Sequence, residues 1–130
     1  MKILNPFVEP NGYKGFLKVM KAVEVNQVFY SITFIRQYEN ASVVQLIIDW
    51  EGDDSNYHEE LSNHSSVALD LGVKYDCRNE KGSGASGQYT HQFVVSPALP
   101  DEITGMAFLF KKYDTYFKDV PASQEIIIEA

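Results

Sequence analysis

Hydrophobic and polar residues alternate with a period of two along most of this chain, and the clearest anchor is Gln88–Ser96. There Tyr89, His91, Phe93 and Val95 point one way and Thr90, Gln92 and Val94 the other, which is the pattern of a β-strand. Ile103–Lys111 is a second extended run, with Met106, Phe108 and Phe110 on one face and Ile103, Gly105, Ala107 and Leu109 on the opposite one. Between them lies Pro97-Ala98-Leu99-Pro100-Asp101-Glu102. Each proline lacks an N–H and holds φ near ~−65°, so neither strand continues through it. The connection is too long and too stiff for a tight hairpin. It predicts a crossover from one sheet to another.

The same reading extends along the chain. Residues 5–12 are turn-rich and form a lead-in. Tyr13–Val25 satisfies helical spacing through Tyr13, Phe16, Leu17 and Met20, and strand spacing through Leu17, Val19, Val23 and Val25. Its valines and the lack of a capping sequence favour a strand over Phe16–Glu24. Gln27–Gln37 is a strand with Val28, Tyr30, Ile32 and Phe34 on one face and Phe29, Ser31, Thr33 and Ile35 on the other. Large apolar groups on both faces place it centrally, between neighbours. Tyr38–Ala41 turns the chain into Ser42–Trp50, an antiparallel hairpin partner.

Glu51–Ser66 reads as a long polar loop. Ser66–Asp76 alternates most cleanly, with Val67, Leu69, Leu71, Val73 and Tyr75 facing in. Cys77–Gly87 is a turn region with a glycine-rich tip, Tyr113–Pro121 a mixed loop, and Gln124–Ala130 a closing strand built on Ile126, Ile127 and Ile128. These runs predict an all-β, antiparallel two-sheet sandwich of about seven strands, immunoglobulin-like in architecture. The cysteine–tryptophan–cysteine pattern of antibody domains is absent.

Composition bounds this picture without changing it. The 130 residues suit one domain. No apolar run approaches the ~18–20 residues of a membrane span. The N-terminus lacks the pattern of a signal peptide, and a single cysteine, Cys77, makes no internal disulfide. Both point to a cytoplasmic protein, a secreted one with its signal removed being the other route to such a sequence.

The net charge of −7 is unevenly spread. Residues 1–36 carry five Lys or Arg against two acids, and residues 37–73 carry eight acids and no Lys or Arg. An acidic middle third argues against nucleic-acid or anionic-membrane binding. It suits a cation binder or a surface that meets a basic partner.

Four groups of residues invite a chemical reading. Gly82–Gly87 matches the G-x-G-x-x-G fingerprint, but a strand follows it where a phosphate-binding loop needs a helix N-terminus. Asp49, Glu51, Asp53 and Asp54 lead an acidic, histidine-containing segment that would offer oxygen ligands to calcium. The plainer reading is a solvated loop. His58-Glu59-Glu60-Leu61 starts like a zinc-protease helix, yet Ser62 stands where the second histidine belongs.

Cys77 and His91 would form a thiolate–imidazole pair only with contact and an orienting group. Packing at the core rim is the simpler role for His91. Tyr113, Tyr116 and Phe117, mixed with lysines, suit a protein interface or a sugar-stacking surface as well as a sandwich end. The expectation is a non-enzymatic module for protein–protein interaction or self-association, with no obligatory cofactor. The alternative is a cation- or carbohydrate-binding module using segment 49–64 or the aromatics of 113–117.

Overall fold

The computed structural model describes residues 8–51, 64–85, 87–113 and 124–130. They form β1 (Tyr13–Val25), β2 (Val28–Tyr38), β3 (Ser42–Asp49), β4 (Val67–Asp70), β5 (Asp76–Ala85), β6 (Gln88–Ser96), β7 (Ala107–Lys112) and β8 (Gln124–Glu129). One sheet has five strands in the order β1-β2-β3-β6-β5 and the other has three in the order β4-β7-β8. All pairings are antiparallel. No helix among the described residues is long and apolar enough to cross a membrane.

The alternation of the sequence becomes the core. Tyr30, Ile32 and Ile35 of β2, Val44, Leu46 and Ile48 of β3, and Phe93 and Val95 of β6 share one buried cluster with Phe108, Phe110, Ile126 and Ile128 from the smaller sheet. Phe93 and Phe110 meet across the layers with ring centroids 5.8 Å apart. Burying each such side chain contributes roughly 1.5–3 kcal/mol, so this inner layer is what holds the sheets together. β6 lies in the larger sheet and β7 in the smaller, so the 97–102 segment is the expected crossover. A buried polar cluster pins it: Gln37 Nε2 donates to the Leu99 carbonyl at 2.7 Å, Ser42 Oγ donates to Gln37 Oε1, and the Leu99 N–H donates to Ser42 Oγ at 2.8 Å.

The strand expected over Ile103–Lys111 begins only at Ala107, because Gly105 at φ +83° turns the chain first and leaves Ile103 buried before it. Two further regions depart from the periodicity. The strand expected over Ser66–Asp76 stops at Asp70, and the expected turn region Cys77–Gly87 is mostly strand β5. Gly72 at φ +89° redirects the chain, the Asp70 carboxylate accepting its N–H at 2.9 Å. Val73 is therefore fully exposed instead of facing in, whereas Leu71 and Tyr75 still pack against the core.

The second of these regions is in β2. Between the pairs Ser31–Ile47 and Ile35–Val44, β2 spends one residue more than β3, a bulge that reverses which side chains face inward. Phe34 is 44% exposed and Ile35 fully buried, the opposite of strict alternation.

The lead-in binds the outer face of the larger sheet. Arg78 donates to the Val8 carbonyl at 3.1 Å and Asn40 to the Glu9 carbonyl at 2.9 Å. Val43 and Val94, outward-facing neighbours between those anchors, are buried. The outer face of β1 and β2 is not.

Candidate functional site

The glycine-rich stretch is a structural element of the sheet edge. Gly82 pairs with His91 and Gly84 with Tyr89, and the connection to β6 comes only after Ala85. A Cβ at Gly82 would lie 2.8 Å from the Tyr89 ring. Glycine here lets that ring lie over the backbone.

Cys77 and His91 are kept apart by the register of β5 and β6. Cys77 pairs with Val95, four residues along β6 from His91, a separation of roughly 14 Å at ~3.4 Å per residue. Burial, aided by Asp76 and Asp70, pushes the Cys77 thiol up to about 12, against a main-chain hydrogen bond at Leu71. A thiol so shifted is no nucleophile near neutral pH.

His91 is 1% exposed and serves as a joint between elements. Its Nε2 lies 2.7 Å from the His64 carbonyl and its Nδ1 3.0 Å from Asn79 Nδ2. Since the carbonyl only accepts, Nε2 carries the proton and Nδ1 accepts from Asn79. Asn79 also donates to the Val67 carbonyl at 3.2 Å, tying β5 to β4 across the layers. A cavity of about 280 Å³ borders this joint, lined in part by Ser66, Asn79, Tyr89 and His91. Both imidazole nitrogens of His91 are thus spent on structure.

His64 lies against the single tryptophan, with the His64 and Trp50 rings 4.3 Å apart and inclined by 31°. Burial, then Lys112 and His91, hold the His64 imidazole down at about 4. Its Nδ1 and the Trp50 Nε1 are buried without a hydrogen-bond partner among the described residues.

The other sequence candidates fall as follows. Asp49 sits on β3, its carboxylate accepting from Gln88 Nε2 at 2.9 Å, and Glu51 is exposed just beyond. Asp53 and Asp54, like His58, lie outside the described residues. No group of three or more metal-ligating side chains occurs among the described residues. Tyr113 is half-buried at the end of β7, its N–H donating to the Ser66 carbonyl at 2.9 Å. Tyr116 and Phe117 lie outside the described residues.

The feature with the most surface chemistry is the β1–β2 hairpin. Among the described residues, five of the seven exposed large apolar side chains lie on it: Tyr13, Phe16, Met20, Phe29 and Phe34. Phe16 and Phe34 meet edge to face at 5.1 Å, and Tyr13 meets Tyr38 at 5.5 Å. Lys14, Lys18, Lys21 and Arg36 are interspersed and exposed. Sequence reasoning passed over this surface, because strict alternation sends Phe34 inward. The available signal was the interleaving of large apolar residues with lysines along β1.

No protein-family model, curated protein or solved structure matches this chain.

Proposed function

We propose that the protein is a non-enzymatic β-sandwich module that acts by self-association through the outer face of β1 and β2. In this reading the two sheets form an immunoglobulin-like sandwich, supported by their common core and by the crossings at β3–β4, β4–β5 and β6–β7. The carrying observation is the solvent-exposed aromatic pair Phe16–Phe34, with Lys18 and Arg36 in register beside it on the same face. Clustered, exposed apolar surface with a polar rim marks an interaction site, whereas scattered exposed residues do not.

Charge selects a second copy as the occupant. The hairpin face is basic, while residues 37–73 of the same chain carry eight acids and no Lys or Arg. Opposite charge in two parts of one sequence favours attraction between copies, and salt weakens that attraction. The contact is by face more than by edge. The outer edge of β1 carries three lysines and two register shifts, with Met20 at φ +51°, devices that discourage strand addition.

Sedimentation velocity across a concentration series tests the proposal. The expected result is a reversible dimer or larger species that dissociates in high salt, and in the double variant Phe16→Ser/Phe34→Ser at low salt. Both side chains are exposed, so the variant should fold normally. A wild-type chain that stays monomeric at ~1 mM, where even weak association registers, would overturn the reading.

A further inference from the structure

We propose that the cleft at the tip of the β1–β2 hairpin binds an alkylammonium group, held between aromatic faces and carboxylates. The cleft, about 490 Å³, is lined by Glu24, Asn26, Gln27, Phe29, Trp50 and Glu51, with Val28. It lies at the opposite end of the hairpin from the Tyr13–Tyr38 pair and does not rest on the self-association reading.

The hairpin closes through Asn26 and Gln27, both in the left-handed region at φ 52° and 67°. Two-residue turns of this kind favour glycine at the second position, where an L side chain is strained. Gln27 occupies that position, and its amide contributes to the cleft wall. The Glu24 and Glu51 carboxylates take no hydrogen bond or ion pair among the described residues, although both line one cleft. Two like charges at one opening repel, and a cation between them relieves the repulsion.

Ligand class follows from the lining. Among the described residues the lining has no basic side chain, so its only charged groups, the Glu24 and Glu51 carboxylates, would repel an anion. For a bare metal ion the lining offers two carboxylates, Glu24 and Glu51, and no group of three or more metal-ligating side chains occurs among the described residues. Trp50 and Phe29 supply π faces, which attract organic cations through their quadrupole, tryptophan most strongly. The ring behind Trp50 belongs to His64, uncharged at neutral pH, so it leaves the indole attractive to positive charge.

The chemistry is shared by a free quaternary ammonium compound and by a lysine side chain on a peptide. Amide and indole NMR shifts of the full chain, titrated with choline chloride and separately with N-acetyl-lysine methylamide, distinguish the two sources. Sodium chloride at matched ionic strength and maltose serve as controls. Saturable shifts at the Trp50 indole and at the amides of Asn26, Gln27 and Glu51 support the proposal, choline assigning a free cation and the lysine derivative a protein side chain.

The double variant Glu24→Gln/Glu51→Gln should weaken the response about tenfold or more while leaving thermal unfolding unchanged, because both residues are exposed. Trp50→Leu should abolish it. No saturation by either cation up to ~50 mM, or equal shifts with maltose, would overturn the assignment.

Discussion

The side-chain amide of Gln37, at the end of β2, donates to the main-chain carbonyl of Leu99 at 2.7 Å in the middle of the crossover between the two sheets. Gln37 is 3% exposed, and Ser42 completes the link by bonding Gln37 and receiving the Leu99 N–H. A loop that spans two layers must satisfy its backbone groups somewhere, and here two buried side chains do it. Gln37→Leu leaves the Leu99 carbonyl without its donor and the Ser42 hydroxyl without its acceptor in an apolar setting. The expected loss is about 1–3 kcal/mol of stability, measured by urea unfolding. An unchanged midpoint would show that the crossover is held by its apolar contacts alone.

His64 should make stability depend on pH. Its folded value of about 4 lies below the ordinary ~6.5. A histidine depressed in this way binds protons more readily when unfolded. Its contribution is fully present above pH ~6.5 and is lost as pH falls towards 4, amounting to up to roughly 3 kcal/mol. The single tryptophan stacks on it, so Trp50 fluorescence should report a midpoint near 4. In His64→Gln that fluorescence transition should vanish and the stability profile should flatten over the same window.

Cys77 should behave as an inert thiol. Its folded value near 12, raised first by burial, keeps it protonated at pH 8, and thiolate is the reactive form. Native alkylation by iodoacetamide should be at least about tenfold slower than alkylation in urea. In the linkage sense, a raised value favours the folded state below the unfolded value of ~8.5, and that contribution is lost as pH climbs towards 12. Rapid native labelling would contradict this environment.

Asp70 ends β4 through two contacts of unequal weight. Its carboxylate accepts the Gly72 N–H at 2.9 Å and meets Lys111 Nζ at 2.9 Å. The main-chain bond is the larger cause holding the Asp70 carboxyl below its ordinary value, ahead of Lys111. The ion pair is exposed and screened by solvent. Asp70→Ala should therefore cost about 0.5–1 kcal/mol, and Lys111→Ala clearly less, in parallel thermal melts. Any contribution from the depressed carboxyl is present above pH ~3.9 and fades as pH falls below it.

The legible parts of the fold were those where burial imposed alternation. β6 is Gln88–Ser96 as its pattern indicates, because Phe93 and Val95 face a packed layer while Thr90 and Gln92 do not. The proline-bounded crossover was readable for the same local reason: proline forbids continued pairing. β5 was not readable. Asp76–Ala85 has almost no apolar alternation, since it is an edge strand paired on one side and largely exposed. Leu71, Val73 and Tyr75 misled for the opposite reason, their alternation surviving a turn at Gly72 that ends the strand.

Site residues followed a similar division. His91 reads as a packed histidine from its neighbours in the strand. The stacking of Trp50 on His64 joins residues fourteen apart across a segment outside the described residues, which no periodicity reports. The cleft at the hairpin tip combines Glu24 and Phe29 with Trp50 and Glu51, brought together only when β2 pairs with β3.

The single extra residue in β2 acts as a frameshift in facing. Before it, Tyr30 and Ile32 belong to the interior; after it, Ile35 and Gln37 do. Phe34, next to it, is public surface. Deleting Thr33 would put Ile32, Ile35 and Gln37 into plain alternation and leave Phe34 facing outward, so the extra residue hides the exposed ring from the sequence pattern without being needed to expose it.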